Sequence, residues 1–166
     1  FSKELQIARE KLLHVRSKRI RPLLDDKILT SWNSLMISAM AKTGRVLEDQ
    51  ERIEKGAKAM QFLLDQLRTS DGKMLRRYRE GEARYDGYLF DHSATAVACL
   101  DLYEATYDSH YIQIAQELMQ RVVEKFSSEN GAFHETASDA EKLLVRQISG
   151  YDGVEPSGSS NAALAF

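Results

Sequence analysis

The sequence predicts an all-α protein of the α/α-toroid type, in which inner helices form a ring and outer helices surround it. Two observations predict this fold. Amphipathic segments alternate with segments that are apolar around nearly their whole circumference, the pattern of outer and inner helices. A polar loop precedes each apolar segment, and Asp26, Asp86 and Asp152 of these loops repeat at a period of about sixty residues.

The number of repeats predicts only part of a ring. A toroid of the six-hairpin type closes with six helical hairpins, and about three are recognisable here. We therefore expect residues 1–166 to form a single partial α/α-toroid domain, a fragment of a longer chain. An open α-solenoid or a simple helical bundle is the alternative. Short β-hairpins in the loops favour the toroid, because solenoid repeats seldom carry them.

Bulk composition excludes several classes of protein. Apolar residues make up 43% of the 166 residues and charged residues 29%, which is typical of a folded globular domain. A net charge of -2 gives no reason to expect a nucleic acid or an anionic membrane as partner. No apolar run approaches the roughly 20 residues of a membrane span. Cys99 is the only cysteine, so no internal disulfide forms, and the expected location is cytoplasmic.

The first half of the chain contains three predicted helices. Apolar residues three or four apart predict an amphipathic helix from about residue 2 to 15, followed by a basic connector that ends at Pro22. Thr30 or Ser31 is a suitable cap for the next helix, which is expected to be buried on most sides and to end at Gly44. An outer helix with one apolar stripe follows over about residues 48–67.

The second half repeats this order of elements. A β-hairpin is predicted from turn residues between two short extended runs, and an apolar inner helix follows it. Then come an amphipathic outer helix, two further extended runs and the start of a third, alanine-rich inner helix. The predicted segments are 74–78 and 83–85 for the hairpin, 93–106 and 109–126 for the two helices, 132–136 and 143–147 for the extended runs, and the loop 152–161 entering the last helix.

The loops that enter the inner helices are the expected place for a functional site. In a toroid these loops emerge at one end of the ring, so their polar and aromatic side chains gather round one opening. Asp26 and Asp91 are the candidate catalytic residues, because paired carboxylates act as general acid and base in glycoside chemistry. The candidate ligand-binding residues are Trp32, as a stacking face, together with Asn33, Tyr88, His92, Asp152 and Ser157.

Each candidate also has a purely structural interpretation. Asp26 is equally well suited to turning a loop, and a tryptophan in the first turn of a buried helix is more often a core residue. His92, next to a helix start, is suited to local capping as well as to moving a proton in an epimerisation. Asp152 lies in a turn-forming sequence. No nucleotide-binding glycine motif, His-Glu-x-x-His motif or cysteine pair is present, so we predict neither a cofactor nor a metal.

Several runs resemble a known family. They are Arg21-Pro22 with Asp25 to Asn33, Gly87-Tyr88-Leu89 with Asp91, Leu102 to Thr106, and Asp152-Gly153 with Pro156-Ser157-Gly158. In this order they resemble the proteins typified by spermatogenesis-associated protein 20. The resemblance implies a C-terminal α/α toroid similar to those of sugar 2-epimerases and six-hairpin glycosidases, following an N-terminal thioredoxin-like domain. It supplies no activity. Ser34, His92 and Ser159 depart from the family pattern.

Two functions follow as hypotheses. The first is binding or processing of a small carbohydrate at the shared rim; whether the protein is an enzyme stays open. The second is a non-catalytic scaffold or protein-interaction domain attached to a thioredoxin-like domain. A half toroid would also leave apolar surface uncovered on its open side, so self-association through that side is expected.

Overall fold

Six helices and a small three-stranded sheet make up the computed structural model, which describes residues 2–166; Phe1 lies outside the described residues. In chain order the elements are α1 (Ser2–Ser17), β1 (Ile28–Leu29), α2 (Thr30–Val46), α3 (Gln50–Leu67), β2 (Leu75–Arg79), β3 (Glu82–Asp86), α4 (Leu89–Thr106), α5 (Ser109–Phe126) and α6 (Gly158–Ala165).

Helix α4 is the centre of the structure. Every residue from Asp91 to Cys99 is buried, because α2, α5 and α6 all pack against this helix. The predicted second inner helix is thus confirmed. Its predicted start at Ser93 is wrong, since α4 begins at Leu89. The four additional residues are helical because the Asp91 carboxylate accepts a hydrogen bond from the Tyr88 backbone N–H and so caps the helix.

Helix α2 is buried on one face only, so the prediction that it is covered on most sides is wrong. Ile37 and Ala41 face the core, whereas Trp32 and Met36 are exposed. Gly44 does not end the helix either. It lies against α3, where an added Cβ would be 2.6 Å from Ile53 Cγ1, so this glycine serves close packing between the two helices.

Helices α3 and α5 are the outer helices, and both predictions are confirmed. Each begins at an aspartate whose carboxylate accepts a backbone N–H of the first turn: Asp49 from Arg52 and Asp108 from His110. Their apolar stripes supply buried side chains to one core, among them Met60, Leu63, Leu118, Val122 and Phe126. The expected order of outer and inner helices is therefore present.

The sheet is larger than predicted, and the later extended runs are less regular than predicted. The β2–β3 hairpin is confirmed, and β1 adds a third antiparallel strand by pairing with β2. Because β1 contains only two residues, the alternating pattern that indicates a strand cannot be recognised there in the sequence. Residues 132–136 and 143–147 form no regular strands; a hydrogen bond from Glu135 N to Gln147 O links them, and Phe133 makes one isolated bridge to Ser127.

Helix α1 forms as predicted, but its apolar face is uncovered. None of its residues is buried, and Leu5, Leu12 and Val15 are exposed. The connector that follows also exposes apolar side chains, with Ile20 almost fully accessible. Within residues 2–166 no helix is both long and apolar enough to cross a membrane.

These exposed apolar side chains lead us to predict self-association with a second copy of the chain. Leu12→Glu places a charge on the apolar face of α1, and we expect it to shift the sedimentation profile toward monomer. His14→Glu adds the same charge to the polar face of the same helix and is expected to leave the profile unchanged. A wild-type protein that sediments as a monomer at every concentration contradicts this prediction.

Candidate functional site

The N-terminal ends of the three inner helices lie together. The carboxylate of Asp91 joins two of them, because Oδ1 accepts from Ser31 N of α2 at 3.2 Å and Oδ2 accepts from Tyr88 N, at the start of α4, at 2.9 Å. The start of α6 lies against α4 at Gly158, where an added Cβ would be 2.9 Å from Phe90 N. Helix N-termini attract negative charge, which favours the Asp91 carboxylate here.

Asp91 is buried, with 1% of its surface accessible. Burial raises the pKa of its carboxyl group, while the Tyr88 N–H, the Arg76 guanidinium and Ser31 act in the opposite direction. Both oxygens are already hydrogen-bonded to backbone groups. The geometry therefore indicates a structural role for Asp91: its carboxylate holds the N-terminal ends of α2 and α4 together.

Asp26 is in a different environment from Asp91. Its side chain is half-exposed and forms an ion pair with β2, in which Arg79 Nε lies 2.6 Å from Asp26 Oδ1. The neighbouring Asp25 pairs with Lys27 at 2.9 Å. The pairing of Asp26 with Asp91 as acid and base stays a prediction, and an inaccessible Asp91 does not favour it.

His92 lies inside the protein rather than on a rim. The ring stacks at a tilt on Phe126, and its two nitrogens are both used: Nε2 accepts from Met74 N at 3.1 Å, and Nδ1 lies 3.0 Å from Tyr88 O. A neutral ring protonated at Nδ1 satisfies both contacts. Burial lowers the pKa of His92 to about 4. Ligand contact by His92 stays a prediction; its observed role is to connect α4 to the segment before β2.

Trp32 lies on an exposed surface, contrary to the alternative that it is a core residue. Its side chain is 61% accessible. It lines a shallow, open cleft of about 400 Å³ with Leu35, Met36, Ala39 and Glu155, so the loop before α6 contributes a residue to the same surface. Asn33, next to Trp32, turns back and donates from Nδ2 to Leu29 O at 2.8 Å.

Tyr88 lies on a second cleft, of about 530 Å³, between the β-hairpin and residues 136–143. Arg76 of β2 lies over the Tyr88 ring, with its Cζ 4.4 Å from the ring centroid. Arg76 is not among the predicted site residues. In the sequence it is one of four arginines on a basic hairpin, which could meet an anionic ligand but is most often a solvated ribbon. Thr136 and Glu141 are not among them either, because no sequence signal brings that segment to the hairpin.

Asp152 and Ser157 build the start of α6. The Asp152 carboxylate accepts from Ser157 N at 2.7 Å and from Ser160 Oγ at 2.9 Å, and Ser157 Oγ accepts from Ser160 N. The hydrogen bond from Ser157 N holds the pKa of Asp152 below its ordinary value. No group of three or more His, Cys, Asp or Glu side chains able to hold a metal ion occurs in residues 2–166.

Solved structures with this arrangement show the fold to which the chain belongs. A family 105 glycoside hydrolase of C. acetobutylicum matches with a TM-score of 0.68 and 12% identity, over 85% of this chain and 42% of that chain. Cellobiose 2-epimerase of Spirochaeta thermophila matches with a TM-score of 0.64 and 13% identity, over 84% and 36%. The GH76 α-mannanase of Bacteroides thetaiotaomicron gives 0.61 and 16%, over 70% and 34%. These matches confirm the α/α-toroid fold.

Two sequence relatives match along nearly the whole of this chain. Human spermatogenesis-associated protein 20 is 32% identical over 93% of this chain and 21% of that protein. An uncharacterised protein of Caenorhabditis elegans is 30% identical over 98% of this chain and 23% of that protein. The chain thus spans about a fifth of the length of these relatives. Over this stretch its predicted resemblance to the spermatogenesis-associated protein 20 family is confirmed. No protein-family model matches the sequence.

The helix-joining role of Asp91 predicts a large loss of stability in Asp91→Ala. Two backbone N–H groups lose their acceptor, and each buried donor left unpaired costs about 1–3 kcal/mol, so we expect urea unfolding to show a loss of about 2–6 kcal/mol. Asp26→Ala removes the other predicted catalytic carboxylate from a half-exposed ion pair and is expected to cost below about 1 kcal/mol. Equal losses in the two variants contradict this assignment.

The environment of His92 predicts that stability falls in mild acid. The folded-state pKa of about 4 lies below the ordinary value of 6.5, so the unfolded chain binds more protons between these values. Stability contributed by neutral His92 is complete above pH 6.5 and is lost as the pH falls toward 4, by about 3 kcal/mol at most. Midpoints of urea unfolding measured between pH 4 and pH 6.5 test this expected loss of stability.

His92→Gln is the control for that pH dependence, because an amide does not titrate. We expect the variant to be less stable at pH 7 and to have a flatter dependence of unfolding free energy on pH than the wild type. The same slope in both proteins would show that other groups cause the acid sensitivity.

Proposed function

We propose that this domain binds small carbohydrates at the N-terminal end of its inner helices. The observation that carries the proposal is the exposed Trp32, which lines an open cleft together with Glu155. A large accessible aromatic face next to a hydrogen-bond acceptor suits a sugar, which has an apolar ring face and hydroxyl groups at its edge. Within residues 2–166 the Glu155 carboxylate makes no hydrogen bond or ion pair, so it is available to a ligand.

The structural neighbours support a saccharide ligand as a class. By their names, proteins of this fold include an α-mannanase, a glycoside hydrolase and cellobiose 2-epimerases. Function does not follow from fold alone. Here the fold agrees with side chains of this chain: the aromatic rings of Trp32 and Tyr88 are both accessible, and each lies in the first turn of an inner helix or at its cap.

A non-catalytic scaffold is the second candidate function, and a specific observation favours it over an enzyme. The buried Asp91 has both oxygens occupied, and Asp26 is paired with Arg79, so the two carboxylates proposed as acid and base are both engaged in structural contacts. A domain that binds sugar or protein without catalysis needs neither of them free.

Trp32 is the only tryptophan, so its fluorescence reports directly on the proposed site. We expect titration with mannose, glucose and cellobiose to give a saturable change in emission for at least one of them. In calorimetry with that sugar, Trp32→Ala should weaken binding about tenfold or more, which corresponds to about 1.4 kcal/mol. Glu155→Gln, which keeps the fluorophore, should also weaken binding.

Val46→Ala is the matched control. Val46 is an exposed apolar residue at the other end of α2, and its truncation is expected to leave both the fluorescence change and the heat of binding intact. Absence of any signal from the whole panel, with the wild type folded, overturns the carbohydrate proposal and leaves the scaffold.

A further inference from the structure

The cleft beside Tyr88 has the size and composition of a small-molecule site. Its volume of about 530 Å³ lies inside the range of about 300–1,000 Å³ found for ligand pockets. The hairpin forms one wall and residues 136–143 form the other. It is distinct from the Trp32 cleft, with which it shares no lining residue.

Arg76 contributes to this cleft a guanidinium that lacks a hydrogen-bond acceptor. The group carries five N–H donors in a planar fork. Its nearest carboxylate oxygen is Asp91 Oδ2, 3.6 Å from Arg76 Nη1, which is too long for a hydrogen bond. That oxygen already accepts from Tyr88 N. The Arg76 guanidinium makes no hydrogen bond with any residue in the described range 2–166. Its contacts are the longer ion pair with Asp91 and the Tyr88 ring, over which it lies.

The other arginines of the hairpin differ from Arg76, because each of them has a polar partner within 3.5 Å. Arg79 is paired with Asp26 and Glu80, and Arg84 with Glu82. Arg77 contacts the hydroxyl of Tyr85 and lies over its ring. A simple solvated ribbon does not account for one arginine that lies over an aromatic ring and yet lacks a hydrogen-bond acceptor.

The remaining lining groups suit the hydroxyls of a sugar. Glu141 is exposed on the opposite wall and has no partner within residues 2–166, so it is a free acceptor. Asp86 is another acceptor, and Lys73, 3.1 Å away, offsets its charge. Thr136 also lines the cleft, and its Oγ1 has no hydrogen-bond partner in the described structure.

We propose that this cleft binds a sugar that carries an oxyanion, with Arg76 as the anion-binding residue and Glu141 and Asp86 as acceptors for the hydroxyl groups. A guanidinium fork pairs with a carboxylate or a phosphate through two parallel hydrogen bonds, so both sugar acids and sugar phosphates have the required chemistry. The inference rests on the proposed carbohydrate function and goes beyond it by assigning a second site and its ligand class.

Calorimetry with five probes tests the inference: D-glucuronate, glucose 6-phosphate, D-glucose, acetate and inorganic phosphate. We expect glucuronate or glucose 6-phosphate to bind at least about tenfold more tightly than glucose and than the matching simple anion, and the tighter of the two identifies the oxyanion. Arg76→Gln should abolish this preference, and Arg76→Lys should reduce it because a single ammonium lacks the fork. Arg84→Gln, which removes an arginine outside the cleft, should retain it.

The inference is overturned if the oxyanion sugars bind no more tightly than glucose, or if both Arg76 variants keep the preference. Should Arg76→Gln not fold, Arg76→Lys decides alone, since it keeps a positive charge near Asp91. Failure here is distinguishable from failure of the proposed function. Neutral sugars that bind and change Trp32 fluorescence without an oxyanion preference leave the carbohydrate proposal intact, whereas silence from all sugars removes both.

Discussion

The rest of the structure depends on the buried carboxylate of Asp91. This side chain accepts one hydrogen bond from a backbone N–H at the start of α2 and a second from a backbone N–H at the start of α4. The two hydrogen bonds hold the N-terminal ends of these inner helices side by side. The backbone must come close for these contacts to form. Gly87 permits this, because an added Cβ there would lie 2.5 Å from Met74 O and 3.2 Å from the Asp91 Cβ. His92, the next residue, ties the same helix start to the hairpin through Met74 N.

Small polar side chains continue this junction along the α2–α4 interface. Ser34 and Thr95 share a buried hydrogen bond of 2.9 Å, and Asp101 pairs with Ser38 and with Lys42 farther along. Short side chains let two inner helices pack closely, while their hydroxyls satisfy one another and the preceding turns. The exposed face of α2 carries Trp32 and Met36, which line the surface that we propose for a ligand.

This arrangement separates structural from functional candidates in a consistent way. The residues closest to the helix junction, Asp91 and His92, are buried and fully hydrogen-bonded, so they stabilise the fold. The residues one layer farther out, Trp32, Tyr88 and Arg76, keep accessible faces or unused donors. The two binding surfaces that we propose therefore lie around the Asp91 carboxylate and do not include it.

The sequence by itself determined the order of outer and inner helices, the β-hairpin and the family resemblance, because helical periodicity, turn residues and motif order are local properties of the chain. The bounds of α5 at residues 109 and 126 follow from its stripe and its cap alone. Only the tertiary structure decided that Asp91 and His92 are interior, that one side of α2 is exposed, and that Arg76 lines a cleft without a hydrogen-bond acceptor for its guanidinium. Those outcomes depend on contacts between residues that are far apart in the sequence. Ser31 and Asp91, for example, are 60 residues apart, and no local pattern encodes such a contact.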